Sequence, residues 1–413
     1  RYVDRTLANG LRAILVPDRR VPSVAINVAY RVGGKDDPLG RSGFAHLFEH
    51  LMFKGTSRTV PETMDRLTED VGGYNNAFTS EDITNYYEVV PSNHLERLLW
   101  AEADRLASLT VNAENFATER DVVIGEYDQR ILAEPYGMLD ELVNREAYTV
   151  HPYRRGVIGS PDELNAASLE DVVAFHATYY RPDNAVLVIA GDLDPDETLA
   201  MIERWFGPIA TPSSRIPRVR IVEPPQTSER TYEYRAANVP LAAAEEAYHI
   251  PAASHPDAAA LDVLETLLGT GRSSRLYTAL VYDKQVASSA FATADLREQA
   301  GLFGLRVTAA GDVALADARA ALEHELDRVR AEPPDELELA RVRTQIASSV
   351  VRSRQMNTGV AMEFVRAVTE RGDPELVNGD LARYLGVTGD DVLRVARTYL
   401  RPENRTVIEY LPL

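Results

Sequence analysis

The sequence predicts an α+β protein of two homologous halves, each a mostly antiparallel sheet with helices packed on one face. Three observations predict it. The first is a repeat: Ser168-Leu169-Glu170-Asp171-Val172 through Tyr179-Tyr180-Arg181-Pro182-Asp183-Asn184 returns, 220 residues on, as Thr388-Gly389-Asp390-Asp391-Val392 through Tyr399-Leu400-Arg401-Pro402-Glu403-Asn404. An offset near half of 413 residues implies two related halves rather than a solenoid, whose units are much shorter. The second is the crowding of Pro208, Pro212, Pro217, Pro224 and Pro225, which neither helix nor strand tolerates, so this stretch reads as a linker. The third is the mixture of strands with helix pairs inside each half. The expected divisions are 1–210, a linker at 211–228, and 229–413.

Taken in order, Gly10 to Pro17 reads as a strand. Val24, Ile26, Val28, Tyr30 and Val32 alternate with smaller or polar residues, the period of a half-buried strand. Helical segments follow around 112–133 and 168–180. In each copy of the repeat an amphipathic helix ends near Arg-Pro and an apolar strand follows, Ala185 to Ala190 in one and Thr406 to Tyr410 in the other.

Between those elements lies the segment that carries chemistry, His46-Leu47-Phe48-Glu49-His50. Ser42 can cap a helix start, Lys54 sits in the last turn and Gly55 is a C-terminal stop. On that helix His46 and His50 share a face, with Glu49 beside them. Phe44, Ala45, Leu47, Phe48, Leu51, Met52 and Phe53 make it so apolar that it reads as buried. Ionisable groups buried without partners cost several kcal/mol, and a divalent metal would satisfy them. The pattern H-x-x-E-H is the inverted zincin motif, in which two imidazoles bind zinc and the glutamate serves as base toward water. A third ligand is needed. Glu119 and Glu126, seven apart and hence on one helix face, are both candidates.

Here the sequence resembles the pitrilysin and insulinase type of metallopeptidase, whose subgroups include the mitochondrial processing peptidases. In that family the third ligand stands in an E-R-x-V-x-x-x-E context, and the matching position, 76 residues after His50, is Glu126. The resemblance therefore implies zinc bound by His46, His50 and Glu126, with Glu49 and Glu119 catalytic, Glu119 as a carboxylate that orients or polarises the site. It also implies that Gly72 to Thr79, continuing to Thr84-Asn85-Tyr86-Tyr87, is an edge strand beside the metal. Such an edge can add an extended peptide by main-chain hydrogen bonding, which makes Asn76 and Ala77 substrate-binding candidates. The same Gly- and Asn-rich stretch reads equally as a plain β-hairpin. The family fold places two such halves around a peptide cleft, and only the first half here carries the metal residues. The glycine-rich Gly269 to Arg275 lacks the ending of a phosphate loop and matches a family helix entry. His151 matches a family position without a role, and His94, His176, His249, His255 and His324 read as surface or helix residues.

Composition narrows the function classes. A net charge of −19 argues against nucleic acid, and no apolar run reaches membrane-spanning length. With no cysteine there is neither a disulfide nor a thiol nucleophile. The chain begins at Arg1, which fits a periplasmic or otherwise exported protein whose targeting segment has been removed, with a cytoplasmic one as the alternative. The expected activity is zinc-dependent endoproteolysis of peptides or unfolded segments. The alternatives are a non-catalytic structural or assembly subunit of the same fold and a zinc-dependent peptide-binding chaperone. Many relatives carry an Arg and a Tyr, seven apart in the second half, as oxyanion stabilisers. Val281 and Ser288 occupy those places here. The resemblance therefore implies a heterodimer with a homologous, metal-free partner that supplies the Arg and Tyr, or else a homodimer of low activity.

Overall fold

In the computed structural model, which describes residues 1–413, the chain divides into two compact units. The first comprises 1–127, 155–220 and 353–377, and the second 128–154, 221–352 and 378–413. One change of unit falls at 220–221, within the Pro-rich stretch. The exchanges at 128–154 and 353–377 have no counterpart in the sequence reading.

The first unit contains a six-stranded sheet of β1 Val3–Thr6, β2 Arg12–Pro17, β3 Ser23–Tyr30, β4 Tyr74–Thr79, β5 Thr84–Pro91 and β6 Ala185–Gly191. Its order is β1-β2-β6-β3-β5-β4, antiparallel except for β2 with β6. The second unit contains β7 Arg230–Ala236, β8 Ala243–Ile250, β9 Ala287–Asp295, β10 Gly301–Ala309 and β11 Arg405–Pro412. Its order is β7-β11-β8-β10-β9, antiparallel except for β7 with β11. No helix is long and apolar enough to cross a membrane.

The repeat owes its form to shared capping chemistry. Helix Leu169–Tyr179 starts in a capping box between Ser168 and Asp171, and helix Gly389–Tyr399 in one between Thr388 and Asp391. After each helix an asparagine folds back: Asn184 Nδ2 donates to Tyr179 O and Asn404 Nδ2 to Tyr399 O, both at 2.8 Å. These bonds satisfy carbonyls at the helix end and turn the chain into β6 or β11.

β3 departs from its expected half-buried pattern, for it is covered on both faces. Val24, Ile26, Val28 and Tyr30 belong to the main core of the first unit. Ala25 and Ala29 join Ile14, Val186 and Val188 in a second layer under Ala361, Phe364, Val365 and Val368 of helix Asn357–Glu370. The alanines follow from that cover, because a helix lying on a sheet leaves little room at the closest approach. Helix Gly137–Ala147 does the same in the second unit, where Leu139, Leu142 and Val143 cover Ala243, Ala247 and Ile408. Each covering helix is thus contributed by the other half of the sequence.

Beneath helix Phe44–Leu51, His176 stacks on Phe48 and Tyr180 with ring centroids 5.5 and 5.3 Å apart. It lies on a helix as expected and is partly exposed, but its Nε2 is buried without a hydrogen-bond partner. Burial pushes its pKa from 6.5 down to about 4.

Two outcomes are expected. A fragment ending at residue 220 lacks the helix over Ile14, Ala25, Val186 and Val188, so it should bind a hydrophobic dye and melt without cooperativity, as calorimetry would show. For His176, the unfolded chain binds the extra proton between pH 6.5 and about 4, so its contribution is complete above 6.5 and is lost as the pH falls toward 4. The loss amounts to about 3 kcal/mol. His176→Phe should flatten that part of the melting temperature against pH.

Candidate metal centre

The site lies wholly within the first unit and is built on helix Phe44–Leu51. Ser42 does not cap it. Its Oγ accepts the Ser160 N–H at 3.0 Å, and the helix start is held instead by Asp37, whose carboxylate accepts the N–H groups of Gly43 at 2.6 Å and Ala45 at 2.9 Å. Gly43 itself adopts φ 90°, and a Cβ there would stand 2.4 Å from Ile158 O, so only glycine fits the approach. Burial raises the Asp37 pKa to about 7, against the two backbone bonds and Arg155, which favour the carboxylate. Nothing local in the sequence marks a cap that reaches back eight residues.

His46 and His50 stand at ring centroids 4.9 Å apart, nearly perpendicular. Helix Ala113–Tyr127 brings Glu126 to them: its Oε2 is 3.6 Å from His46 Nε2 and 3.3 Å from His50 Nε2. One ligand atom from each of the three lies within 4.8 Å of the others. Glu119, two turns earlier, is 2% exposed, and its Oε2 is 3.5 Å from His50 Nδ1 while Lys54 Nζ lies 2.9 Å from its Oε1. Burial opposes charge on this carboxylate, but His50 and Lys54 outweigh it and hold its pKa below the usual range. Burial likewise opposes a charged His50, yet Glu119, Glu126 and Glu49 keep its pKa above the ordinary value. Anchoring of Nδ1 by Glu119 aims Nε2 at Glu126, the arrangement by which carboxylates orient metal-binding imidazoles.

Glu49 Oε2 lies 4.0 Å from His46 Nε2 and accepts a hydrogen bond from Thr79 Oγ1 at 2.6 Å. Thr79 ends β4, which is the edge of its sheet, as the reading of this segment required. Asn76 and Ala77 lie on the same strand, where Asn76 Oδ1 accepts the Ala77 N–H at 2.8 Å. Asn75 pins the strand from its other end, donating to Asp65 Oδ1 and Thr68 Oγ1.

Under the ligand helix, Tyr86 Oη donates to Phe48 O at 3.0 Å, and the Arg105 guanidinium sits 4.4 Å from the Tyr86 ring. Arg105 is itself buried against Glu88 and Glu102. Burial, together with the neighbouring Glu102, raises the Glu88 pKa. Asp37, Thr79 and this buried ion cluster escaped the sequence reading, because each acts across elements rather than along one.

In the second unit, Val281 lies in the π-helical turn Tyr277–Asp283 and packs on that unit's core. Ser288 lies on β9 with its Oγ directed to the Thr308 and Ala309 carbonyls. Neither offers a cationic or phenolic donor.

Comparison with known proteins divides the chain into two matched parts. Residues 12–160 match the family described as insulinase, peptidase family M16, and residues 166–346 the one described as peptidase M16 inactive domain. The chain is 29% identical to the zinc protease PqqE of Helicobacter pylori over 409 residues, covering 98% of this chain and 92% of that one. It is 26% identical to a probable mitochondrial-processing peptidase subunit beta of Arabidopsis thaliana, covering 96% and 75%. The crystal structure of a protease from Helicobacter pylori superposes with a TM-score of 0.97 at 28% identity, covering 100% of this chain and 99% of that one. With both of its domain types matched in order and its fold reproduced end to end, the chain belongs to the M16, insulinase-type, peptidase family.

Proposed function

We propose that this chain is a zinc-dependent endopeptidase that cleaves peptides or unfolded segments, acting as the metal-bearing subunit of a heterodimer. The observation that carries the reading is the convergence of His46 Nε2, His50 Nε2 and Glu126 Oε2, with the Glu49 carboxylate alongside. Two neutral imidazoles and a carboxylate are a donor set that zinc favours, and Glu119 supports the His50 tautomer such a set needs. Zinc held there would supply a Lewis acid that polarises the scissile carbonyl and lowers the pKa of water toward neutrality. Glu49 takes the proton of the attacking water and passes it to the leaving amine. The edge of β4, at Asn76 and Ala77, offers main-chain groups to an extended substrate, which Asn76 Oδ1 vacates when the peptide pairs.

Support for a partner comes from the second unit. Neither Val281 nor Ser288 can replace a guanidinium, and the Ser288 hydroxyl is directed to the Thr308 and Ala309 carbonyls, so an oxyanion contribution of about 10²–10³ in rate would have to come from elsewhere. A homologous chain without metal ligands would donate the missing Arg and Tyr.

Elemental analysis of protein expressed with ample zinc should give about one zinc per chain. Glu49→Gln should keep that zinc while abolishing cleavage, because the amide fills the same space but accepts no proton. Glu126→Gln should lower zinc retention instead; unchanged occupancy would remove Glu126 from the ligand set. Peptidase activity of the chain alone should be low and rise by about 10²-fold on co-expression with a metal-free homologue carrying the Arg and Tyr. Full activity from the isolated chain, unchanged by any homologue, would defeat the heterodimer.

A further inference from the structure

The Glu49 carboxylate is held by a side chain that does not come from its own helix. Thr79 Oγ1 donates to Oε2 at 2.6 Å, and this oxygen is also the one that lies 4.0 Å from His46 Nε2. Thr79 is the last residue of β4, where alternation places Asn75, Ala77 and Thr79 on one face. Asn75 ties that face to helix Thr63–Glu69 through Asp65 and Thr68, Ala77 packs on the main core, and Thr79 reaches the carboxylate. One short edge strand is therefore anchored at its start and joined to Glu49 at its end.

A glutamate side chain has several freely rotating bonds, and a base delivers its rate only when it is aligned with the proton it removes. A hydroxyl donating to a carboxylate is a charge-assisted bond, short and directional. Resting on the reading of Glu49 as general base, we propose that Thr79 is its positioning residue. The hydroxyl aims the Glu49 carboxylate at the attacking water and couples that aim to the strand along which the substrate pairs. Ordering of β4 by a bound peptide then also orders the base, so the hydroxyl contributes to turnover more than to binding.

The test uses the zinc-loaded full-length chain, with its partner subunit where turnover requires one, on a fluorogenic peptide. Thr79→Val keeps the shape of threonine and loses the donor, while Thr79→Ser keeps the donor. Thr79→Val should lower kcat about 10- to 100-fold with KM changed less than about twofold, and Thr79→Ser should stay within about threefold of wild type. Zinc content should be equal in all three. Crystal structures should show the Glu49 carboxylate displaced by about 1 Å or more in Thr79→Val and unmoved in Thr79→Ser. Thr79→Ala, which removes the same hydroxyl, decides the question where the valine variant does not fold. A wild-type kcat in Thr79→Val, a serine variant as slow as the valine one, or a loss confined to KM or to zinc content overturns the proposal. If Glu49→Gln remains active, the base assignment fails and the positioning role fails with it; an inactive Glu49→Gln beside a fully active Thr79→Val rejects Thr79 alone.

Discussion

Everything at the site follows from placing three ionisable side chains on a short apolar helix that is packed into a core. Phe44, Leu47, Phe48 and Leu51 drive helix Phe44–Leu51 inward, and His46, Glu49 and His50 go with them. Desolvated polar groups must find partners or forfeit stability. None of the partners is local. Glu126 and Glu119 arrive on a neighbouring helix, Thr79 on a strand edge, and Asp37 from the loop ahead of the helix. The need to satisfy one helix therefore fixes the positions of three other segments.

The cluster is poised between two ways of balancing its charge. The carboxylates of Glu119, Glu126 and Glu49 favour the charged form of His50 against its burial and hold its pKa above the ordinary value. A divalent cation answers the same negative field without a proton, which is why ligand sets of this kind release protons as they bind metal. Lys54 moderates the field by pairing with Glu119 at the edge of the site.

Much of this was legible in the sequence, and the reasons are physical. Helical spacing fixed that His46, Glu49 and His50 share a face, and the repeat showed as a segment recurring 220 residues on, whose two copies the structure finds capped alike at Ser168 and Thr388. Glu119 and Glu126 are visible in the sequence as a pair, but that Glu126 lies between both imidazoles while Glu119 meets only His50 is not given by spacing, which leaves both on one face. Serine is a favoured cap, so the sequence points to Ser42, whereas the structure starts the helix at Gly43 and gives its free N–H groups to the more distant Asp37. The tertiary cap from Asp37 and the hydroxyl of Thr79 depend on how strands and helices stack. β3 was read as half-buried because its alternation is real, whereas the small Ala25 and Ala29 leave no hydrophobic signal of the helix that covers them.

That covering helix sets an order of events on the ribosome. The candidate metal ligands are made within the first third of the chain, but the sheet beside them stays open on one face until the residues around Phe364 and Val365 have emerged. A nascent chain therefore displays its ligands long before it owns a finished scaffold. The scaffold around His46, His50 and Glu126 is therefore completed only when nearly the whole chain has been made.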